Sequence, residues 1–186
     1  MTKKASSSKK ILKFLDKEGV LYKLFDHKTV YTAYDLAQTL KEDLNKVAKS
    51  LLIKKDKDRV IVVLPASRQL DLSKFKKKLK AKKISIEPEK AIAQIIKGTT
   101  KALTPFGRLY KDIPVYVDKA LLKTKEVITS AGDFEQSLHL KTKDLLKATQ
   151  GEVVDLGRAV KRSMAKPKAK RHPAKPKAKA KPKRRV

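Results

Sequence analysis

Cysteine and tryptophan are absent from this 186-residue chain, and glycine occurs only six times. Without cysteine the protein has no disulfide, no thiolate metal ligand and no cysteine nucleophile. Long apolar runs are missing too: the longest, VIVVLPA, is far too short to span a bilayer core of roughly 30 Å. Lys13 and Asp16 interrupt the apolar stretch near the N-terminus, which argues against a signal peptide, so we expect a cytoplasmic protein.

Acidic residues are scarce as well. Lysine and arginine total 48 against 19 aspartates and glutamates, a formal net charge of +29. So large an imbalance predicts a polyanionic partner, nucleic acid in the first place and an anionic membrane surface only as a weaker alternative. The length allows one ordinary domain with some chain to spare.

The charge is concentrated at the C-terminus. No acidic residue follows Asp155, whereas Arg158 to Arg185 holds 14 of the basic residues. The string AKPKAK starts at Ala165 and again at Ala174. With almost no apolar side chain to bury, this segment is predicted to be a disordered tail that binds phosphates non-specifically. Its candidate nucleic-acid-binding residues are Lys166, Lys168, Lys170, Arg171, Lys175, Lys177, Lys179, Lys181, Lys183, Arg184 and Arg185. Its composition resembles the tails of linker histones.

Apolar periodicity predicts the elements of the remaining chain. Helices are expected at 8–19, 32–40 with Thr32 as N-cap, 42–49, 70–83, 88–96 and 142–149 with Thr142 as cap. Strands are expected at 22–27, at 50–55 and 59–65 as a hairpin, and at 114–118 and 126–132. This irregular alternation predicts an α+β, or mixed α/β, fold around one central sheet. We divide the chain into a basic N-terminal segment with its helix (1–20), a globular domain (21–157) and the tail (158–186).

Two groups of lysines are functional candidates. Lys74, Lys77, Lys78 and Lys80 lie on the outer face of the helix predicted at 70–83 and form a possible nucleic-acid-binding ridge. Lys49 lies instead within the mostly apolar stretch NKVAKSLLI. Two interpretations are open for Lys49: its ammonium extends to water at the end of a strand, or it meets an anion or carbonyl at a binding site.

Several motifs occur in a family-like order and spacing: HKTVYTAYDLA, VAKSLLI, VIVVLPASRQLDLSKF, LTPFG, IPVYVDKALL, TSAG and DLLKATQGEVVDL. Together, over about Leu21 to Leu156, they resemble the YbaK/aminoacyl-tRNA synthetase-associated domain family. Its members include free-standing Cys-tRNA(Pro) and Ala-tRNA(Pro) deacylases and the editing domain inserted in bacterial prolyl-tRNA synthetases. The resemblance implies a central mixed, partly barrel-like sheet surrounded by helices.

The resemblance also implies a site. Lys49 would be its main functional side chain and would hold the ribose and phosphate of the acylated terminal adenosine. Backbone amides in the loop before PFG would hold the substrate carbonyl, and the TSAG turn and the VYTA segment would line the pocket. The substrate-binding residues implied are Tyr31, Thr32, Lys101, Ala102, Leu103, Thr104, Pro105, Gly107, Ser130, Ala131 and Gly132.

Some residues depart from the family pattern. Lys101 and Ala102 replace glycines of the loop, and DFEQ replaces the KRGL that commonly follows the turn. We expect Arg68 and Asp71 to form a structural ion pair. The three histidines form no ligand-spaced cluster, so neither a metal nor a cofactor is predicted.

These features predict a trans-editing aminoacyl-tRNA deacylase that acts on mischarged tRNA, with Cys-tRNA(Pro) or a similar small amino-acid ester as substrate. No protein nucleophile or general base is evident in the sequence, so water or a substrate group would attack the ester. The expected partners are aminoacylated tRNA, other RNA or DNA through the tail, and prolyl-tRNA synthetase, but not a membrane. The alternative is a non-catalytic RNA- or DNA-binding protein built on a degenerate editing domain.

Overall fold

A computed structural model describes residues 6–160 of the protein. The helices are α1 (Ser6–Lys17), α2 (Ala33–Leu40), α3 (Leu72–Leu79), α4 (Glu89–Ile96) and α5 (Thr142–Thr149), with 3₁₀ turns at Gly107–Tyr110 and Lys119–Lys123. The strands are β1 (Tyr22–Asp26), β2 (Ala48–Lys55), β3 (Asp58–Pro65), β4 (Arg68–Leu70), β5 (Ile84–Ile86), β6 (Val115–Asp118), β7 (Glu126–Ser130), β8 (Gln136–Lys141), β9 (Glu152–Val154) and β10 (Gly157–Ala159).

The strands form three sheets. The largest has the order β5-β2-β3-β6-β9, with antiparallel pairing up to β3 and parallel pairing beyond it. A second, antiparallel sheet has the order β1-β8-β7, and β4 pairs with β10. The predicted α+β class with a mixed sheet is confirmed. The sheets are open, however, and no barrel closes within residues 6–160.

The five-stranded sheet is covered on both faces. Ile61 and Val63 of β3 join one core cluster, and the alternate residues Val60, Val62 and Leu64 join the other. Successive side chains of a strand point to opposite faces, so the continuous apolar run in β3 is what a strand covered on both sides requires. α3 covers the second face through Phe75, which is fully buried.

The first core cluster includes the N-terminal helix. Ile11 and Leu15 of α1 are fully buried among residues of the sheet, together with Leu145 of α5. Helix α1, which lies in the segment 1–20 that we separated from the domain, therefore contributes to the same core. At the other end β10 continues to Ala159, two residues past the predicted domain boundary. The basic residues of the tail beyond Val160 lie outside the described residues.

The helix predicted at 42–49 is wrong. Asp43 begins a turn in which its carboxylate accepts the Asn45 amide and its carbonyl accepts the Lys46 amide. Val47 then pairs with Ile128, and β2 begins at Ala48. The local apolar spacing fits a helix or a strand equally well, and its last residues form a strand because they pair with β3 and β7.

Two smaller predictions are also corrected. Thr142 does not cap α5: it is the first residue of the helix, and its hydroxyl donates to the Thr124 carbonyl at 2.6 Å. Arg68 pairs with Asp118 and Asp155 rather than with Asp71, and Asp71 instead caps α3 by accepting the Lys74 amide. None of the helices between residues 6 and 160 has the length and apolarity needed to cross a bilayer.

Candidate active site

A cavity of about 570 Å³ opens where the two larger sheets meet. It is bounded by the loop before α2, the start of β2, helix α4, the loop 101–103 and the adjoining ends of β7 and β8. Its lining includes the apolar side chains of Leu36, Ile92 and Ile96. It also includes lysine, histidine, serine, threonine and aspartate residues. This volume lies in the usual range for small-ligand sites, and the mixed lining is typical of them.

Lys49 is among the residues that line this cavity. Its ammonium donates to the Arg68 carbonyl at 2.5 Å and to the Ala66 carbonyl at 3.4 Å, both in the turn after β3. Partial burial lowers the pKa of the Lys49 ammonium, and no carboxylate of the described residues lies within ion-pair distance of it. Two of its three N–H groups thus donate to backbone carbonyls, which orients the ammonium, and the third has no acceptor among the described residues.

The loop predicted to hold the substrate carbonyl is largely occupied by its own structure. The amides of Lys101 and Ala102 donate to the Gly132 carbonyl at 2.7 and 3.1 Å. The Thr104 amide donates to the Tyr110 hydroxyl at 3.2 Å, and Pro105 has no N–H. Within the described part of the chain, the Leu103 amide is the one donor of this loop without an acceptor.

Several predicted substrate-binding residues therefore support the cavity rather than line it. Lys101, Ala102, Leu103 and Ser130 are among the lining residues, whereas Thr104, Pro105, Gly107, Ala131 and Gly132 are buried and do not line it. At Gly107 a β-carbon would lie 1.9 Å from the Ile113 carbonyl oxygen. Glycine is required there because two backbone segments approach closely.

The TSAG turn holds the loop 101–105 in place through the Gly132 carbonyl, and the turn has hydrogen bonds of its own. The Ser130 hydroxyl accepts the Gly132 amide at 3.0 Å and closes the turn. After it, Asp133 forms an ion pair of 2.8 Å with Lys101 at the cavity wall. Burial would raise the pKa of Asp133, but the Lys101 ammonium and the amides of Glu135 and Phe134 outweigh it, so the pKa is lowered. Lys101 thus replaces a family glycine with a side chain that ties loop and turn together.

Substituting Gly132 tests how tightly this loop and turn are packed. Gly132 has φ of +81°, and an added β-carbon would lie 2.5 Å from Ile11 Cδ1 and 2.7 Å from Thr100 Cγ2. We expect Gly132→Ala to destabilise the protein by about 2–4 kcal/mol in urea denaturation, through backbone strain and overpacking together. Gly98→Ala is the matched control, because Gly98 has a similar φ of +71° and nothing within 4 Å. Equal losses for the two variants would show that backbone strain alone acts.

Tyr31 and Thr32 also line the cavity. Thr32 is also the N-cap of α2, because its hydroxyl accepts the Asp35 amide at 3.0 Å. Tyr31 is 71% exposed, and its ring centroid lies 5.2 Å from that of Phe134, another lining residue. Exposed aromatic rings at this position can stack on a nucleobase.

Sequence reasoning missed a pair formed by His27 and Ser137. The His27 Nε2 atom lies 2.8 Å from the Ser137 hydroxyl, and Nδ1 lies 2.8 Å from the Lys28 carbonyl. A carbonyl can only accept, so Nδ1 carries the proton and Nε2 accepts the hydrogen bond from Ser137. Both residues line the cavity. They are 110 positions apart, and no local spacing could have connected them.

The lysine ridge on α3 lies on the second face of the five-stranded sheet. Two of its four predicted members have acidic neighbours: Lys74 pairs with Asp155, and Lys78 lies 3.3 Å from Glu152. Lys77 and Lys80 are exposed and have no ion pair within the described residues. Acidic side chains of the same domain thus offset the charge of two of the four lysines in the ridge.

Comparison with known proteins identifies the class to which this fold and site belong. Residues 27–148 match the family of the aminoacyl-tRNA editing domain. The chain therefore belongs to this family, which confirms the predicted family and, with it, the predicted class of enzyme, an aminoacyl-tRNA deacylase.

Individual relatives agree with this assignment. The chain is 28% identical to the prolyl-tRNA editing protein ProX of Acetoanaerobium sticklandii over 138 residues, 72% of this chain and 84% of the relative. It is 23% identical to the multifunctional Ser/Thr-tRNA deacylase ProXp-y of Escherichia coli K12 over 85% of this chain and 97% of the relative. A crystal structure described as a candidate trans-editing enzyme for prolyl-tRNA synthetase superposes with a TM-score of 0.73 at 21% identity, covering 82% and 98% of the two chains.

Proposed function

We propose that this protein hydrolyses the ester that joins a wrongly attached small amino acid to tRNA, with Cys-tRNA(Pro) as the first candidate substrate. The observation that carries the proposal is the convergence of Lys49, His27 and Ser137 on one cavity. The apolar residues of the cavity lining would receive the small side chain, and the size of the space would exclude bulkier amino acids. The relatives act on prolyl-tRNA or on Ser/Thr-tRNA by name, which supports an aminoacylated tRNA as substrate here.

In this proposal the ester carbonyl lies between the Lys49 ammonium and the Leu103 amide. Both can donate to the oxygen on which negative charge develops during attack. Lys49 can also approach the ribose or phosphate of the terminal nucleotide, since its third N–H remains free of the fold. The oxyanion site expected from the backbone amides of the loop before PFG is thereby reduced to one amide and one ammonium.

The His27–Ser137 pair would accept the proton of the attacking water. Water attacks the carbonyl carbon and passes its proton to Ser137 Oγ, while the Ser137 proton moves to His27 Nε2. The carbon–oxygen bond to the ribose then breaks, and the leaving ribose oxygen takes the proton back from the imidazolium. The Lys28 carbonyl supports this assignment, because it holds the His27 ring in the tautomer whose Nε2 is free to accept.

The proposed activity is tested by single-turnover hydrolysis of Cys-, Ala-, Ser- and Thr-esterified tRNA by the full chain. We expect Cys-tRNA(Pro) to be hydrolysed fastest and His27→Ala to lower the rate by roughly 10² to 10⁴-fold, the range of general base catalysis. His139→Ala is the control, since His139 lies on β8 like Ser137 but does not line the cavity. If His27→Ala and His139→Ala behave alike, His27 has no part in the chemistry.

The basic tail is proposed to assist by raising the association of tRNA. Its residues beyond Val160 lie outside the described part of the chain, so the support is their charge alone. Counterion release scales with the number of cations that meet phosphates. Binding of all four RNA substrates without hydrolysis of any would favour the alternative, a non-catalytic RNA-binding protein.

A further inference from the structure

A second concavity, of about 1090 Å³, lies near the candidate active site, and five of its ten lining residues are lysines. We call it the lysine groove and define it by Lys46, Lys123, Lys125, Lys141 and Lys143. Thr124, Thr142, Leu122, Leu146 and one acidic residue, Glu126, complete the lining. Neither the resemblance nor the comparisons point to this surface.

The charges of the groove are largely uncompensated. Lys123, Lys125, Lys141 and Lys143 are exposed and form no ion pair within the described residues. Lys46 pairs with Glu42, and Glu126 lies 3.2 Å from the His139 imidazole. Like charges brought together around a concavity repel one another unless an anion binds between them. The arrangement therefore suits a ligand that carries several negative charges.

Strand pairing sets the distance from the groove to the active site. Val47 of the chain entering β2 pairs in parallel with Ile128 of β7. On one side of this bridge, Lys46 and Glu126 line the groove. Three residues further along each segment, Lys49 and Thr129 line the active-site cavity. At about 3.3 Å per strand residue the two are on the order of 10 Å apart.

A nucleic acid fits this separation. Even at the compact advance of about 3.4 Å per phosphate found in each strand of a DNA double helix, on the order of three nucleotides span the distance, and a more extended single strand needs fewer. We propose that the lysine groove binds the phosphate backbone of the tRNA acceptor end, a few nucleotides before the acylated terminus in the cavity. This inference rests on the proposed function, because the distance is counted from the acyl site.

The test compares two fourfold variants of the full chain that lose the same charge. One replaces the groove residues Lys123, Lys125, Lys141 and Lys143 by alanine. The control replaces Lys76, Lys77, Lys80 and Lys82, exposed lysines in and just after α3. Both keep the tail, so any general effect of net charge is shared. Thermal denaturation establishes that both fold, and a fourfold glutamine replacement in the groove serves as a second variant.

The first measurement is the affinity for an acceptor-stem RNA hairpin that carries no amino acid and has a single-stranded 3′ end. It is made by fluorescence anisotropy at several salt concentrations. We expect the groove variant to lose at least about tenfold more affinity than the control. The steepness of its plot of log affinity against log salt should fall by roughly 3, since each of the four lost phosphate contacts accounts for about 0.7 to 0.9. Equal losses in the two variants, or a larger loss in the α3 variant, overturn the proposal.

The second measurement separates this inference from the proposed function. A cysteinyl ester of adenosine lacks the stem, so its hydrolysis at saturating concentration should be the same for the groove variant and the wild type. Hydrolysis by the wild type with no groove-specific loss of hairpin binding refutes the groove alone. A groove-specific loss of hairpin binding without hydrolysis of any ester refutes the deacylase and retains the groove as an RNA site.

Discussion

Replacing Lys49 by methionine is expected to lower the rate of deacylation at least about 10²-fold, while tRNA that carries no amino acid binds with nearly the wild-type affinity. Removing one donor to a developing oxyanion typically reduces the rate by this factor or more. Methionine keeps much of the length of the side chain and removes only the ammonium that reaches the Arg68 and Ala66 carbonyls. tRNA affinity should persist because the tail and the other lysines supply most of the charge.

Lys54 provides the matched control for Lys49. It lies on the same strand, β2, but is exposed and does not line the cavity. Lys54→Met should therefore leave the single-turnover rate on Cys-tRNA(Pro) unchanged. Comparable rates for wild type and Lys49→Met would falsify the proposed role of the ammonium, and with it the catalytic mechanism.

The second large effect is expected at Asp118, where loss of the buried charge should destabilise the fold by about 3–5 kcal/mol. Asp118 is fully buried, and its carboxylate accepts the amides of Ala120, Leu156 and Gly157 at 2.7, 3.1 and 2.5 Å. The Arg68 Nε atom lies 3.8 Å from the same carboxylate. Asp118→Ala leaves these donors without their acceptor and the guanidinium without its buried counterion.

The activity of this variant should fall with its stability. Arg68 lies on β4, which pairs with β10, and the Arg68 carbonyl accepts the Lys49 ammonium. Asp118 therefore supports the turn that orients Lys49, although it does not line the cavity. Urea denaturation followed by circular dichroism measures the loss of stability, and the single-turnover rate measures the effect on the site.

Asp155 is the control for Asp118, because it also pairs with Arg68 but is 53% exposed. Exposed ion pairs typically contribute at most about 1 kcal/mol, so Asp155→Ala should have a small effect. Similar losses for Asp118→Ala and Asp155→Ala would contradict the argument that burial makes the difference.

Much of the fold was accessible from the sequence because its elements follow local periodicities. Apolar alternation and turn residues predicted the β2–β3 hairpin, and helical spacing predicted α1, α2, α3, α4 and α5. The failure at 42–49 has a physical cause. A short apolar stretch fits both periods, and pairing with residues far away in the chain decides between them.

The candidate site was only partly accessible. The motif around Lys49 predicted a lysine with a functional role, and Lys49 is among the residues that line the cavity, but its role stays a prediction. The loop 101–105 looked like a row of free amides, yet Gly132 accepts two of them. A sequence does not reveal which donors a distant carbonyl will satisfy.

The sequence by itself determined the family, the order of the main elements and the excess of positive charge, because composition and local periodicity are written along the chain. Tertiary structure decided that His27 meets Ser137, that the Leu103 amide is left to donate, and that the five lysines of the groove gather beside the contact between the start of β2 and β7. Each of these depends on contacts between residues far apart in the chain, and such contacts leave no periodic pattern in the sequence.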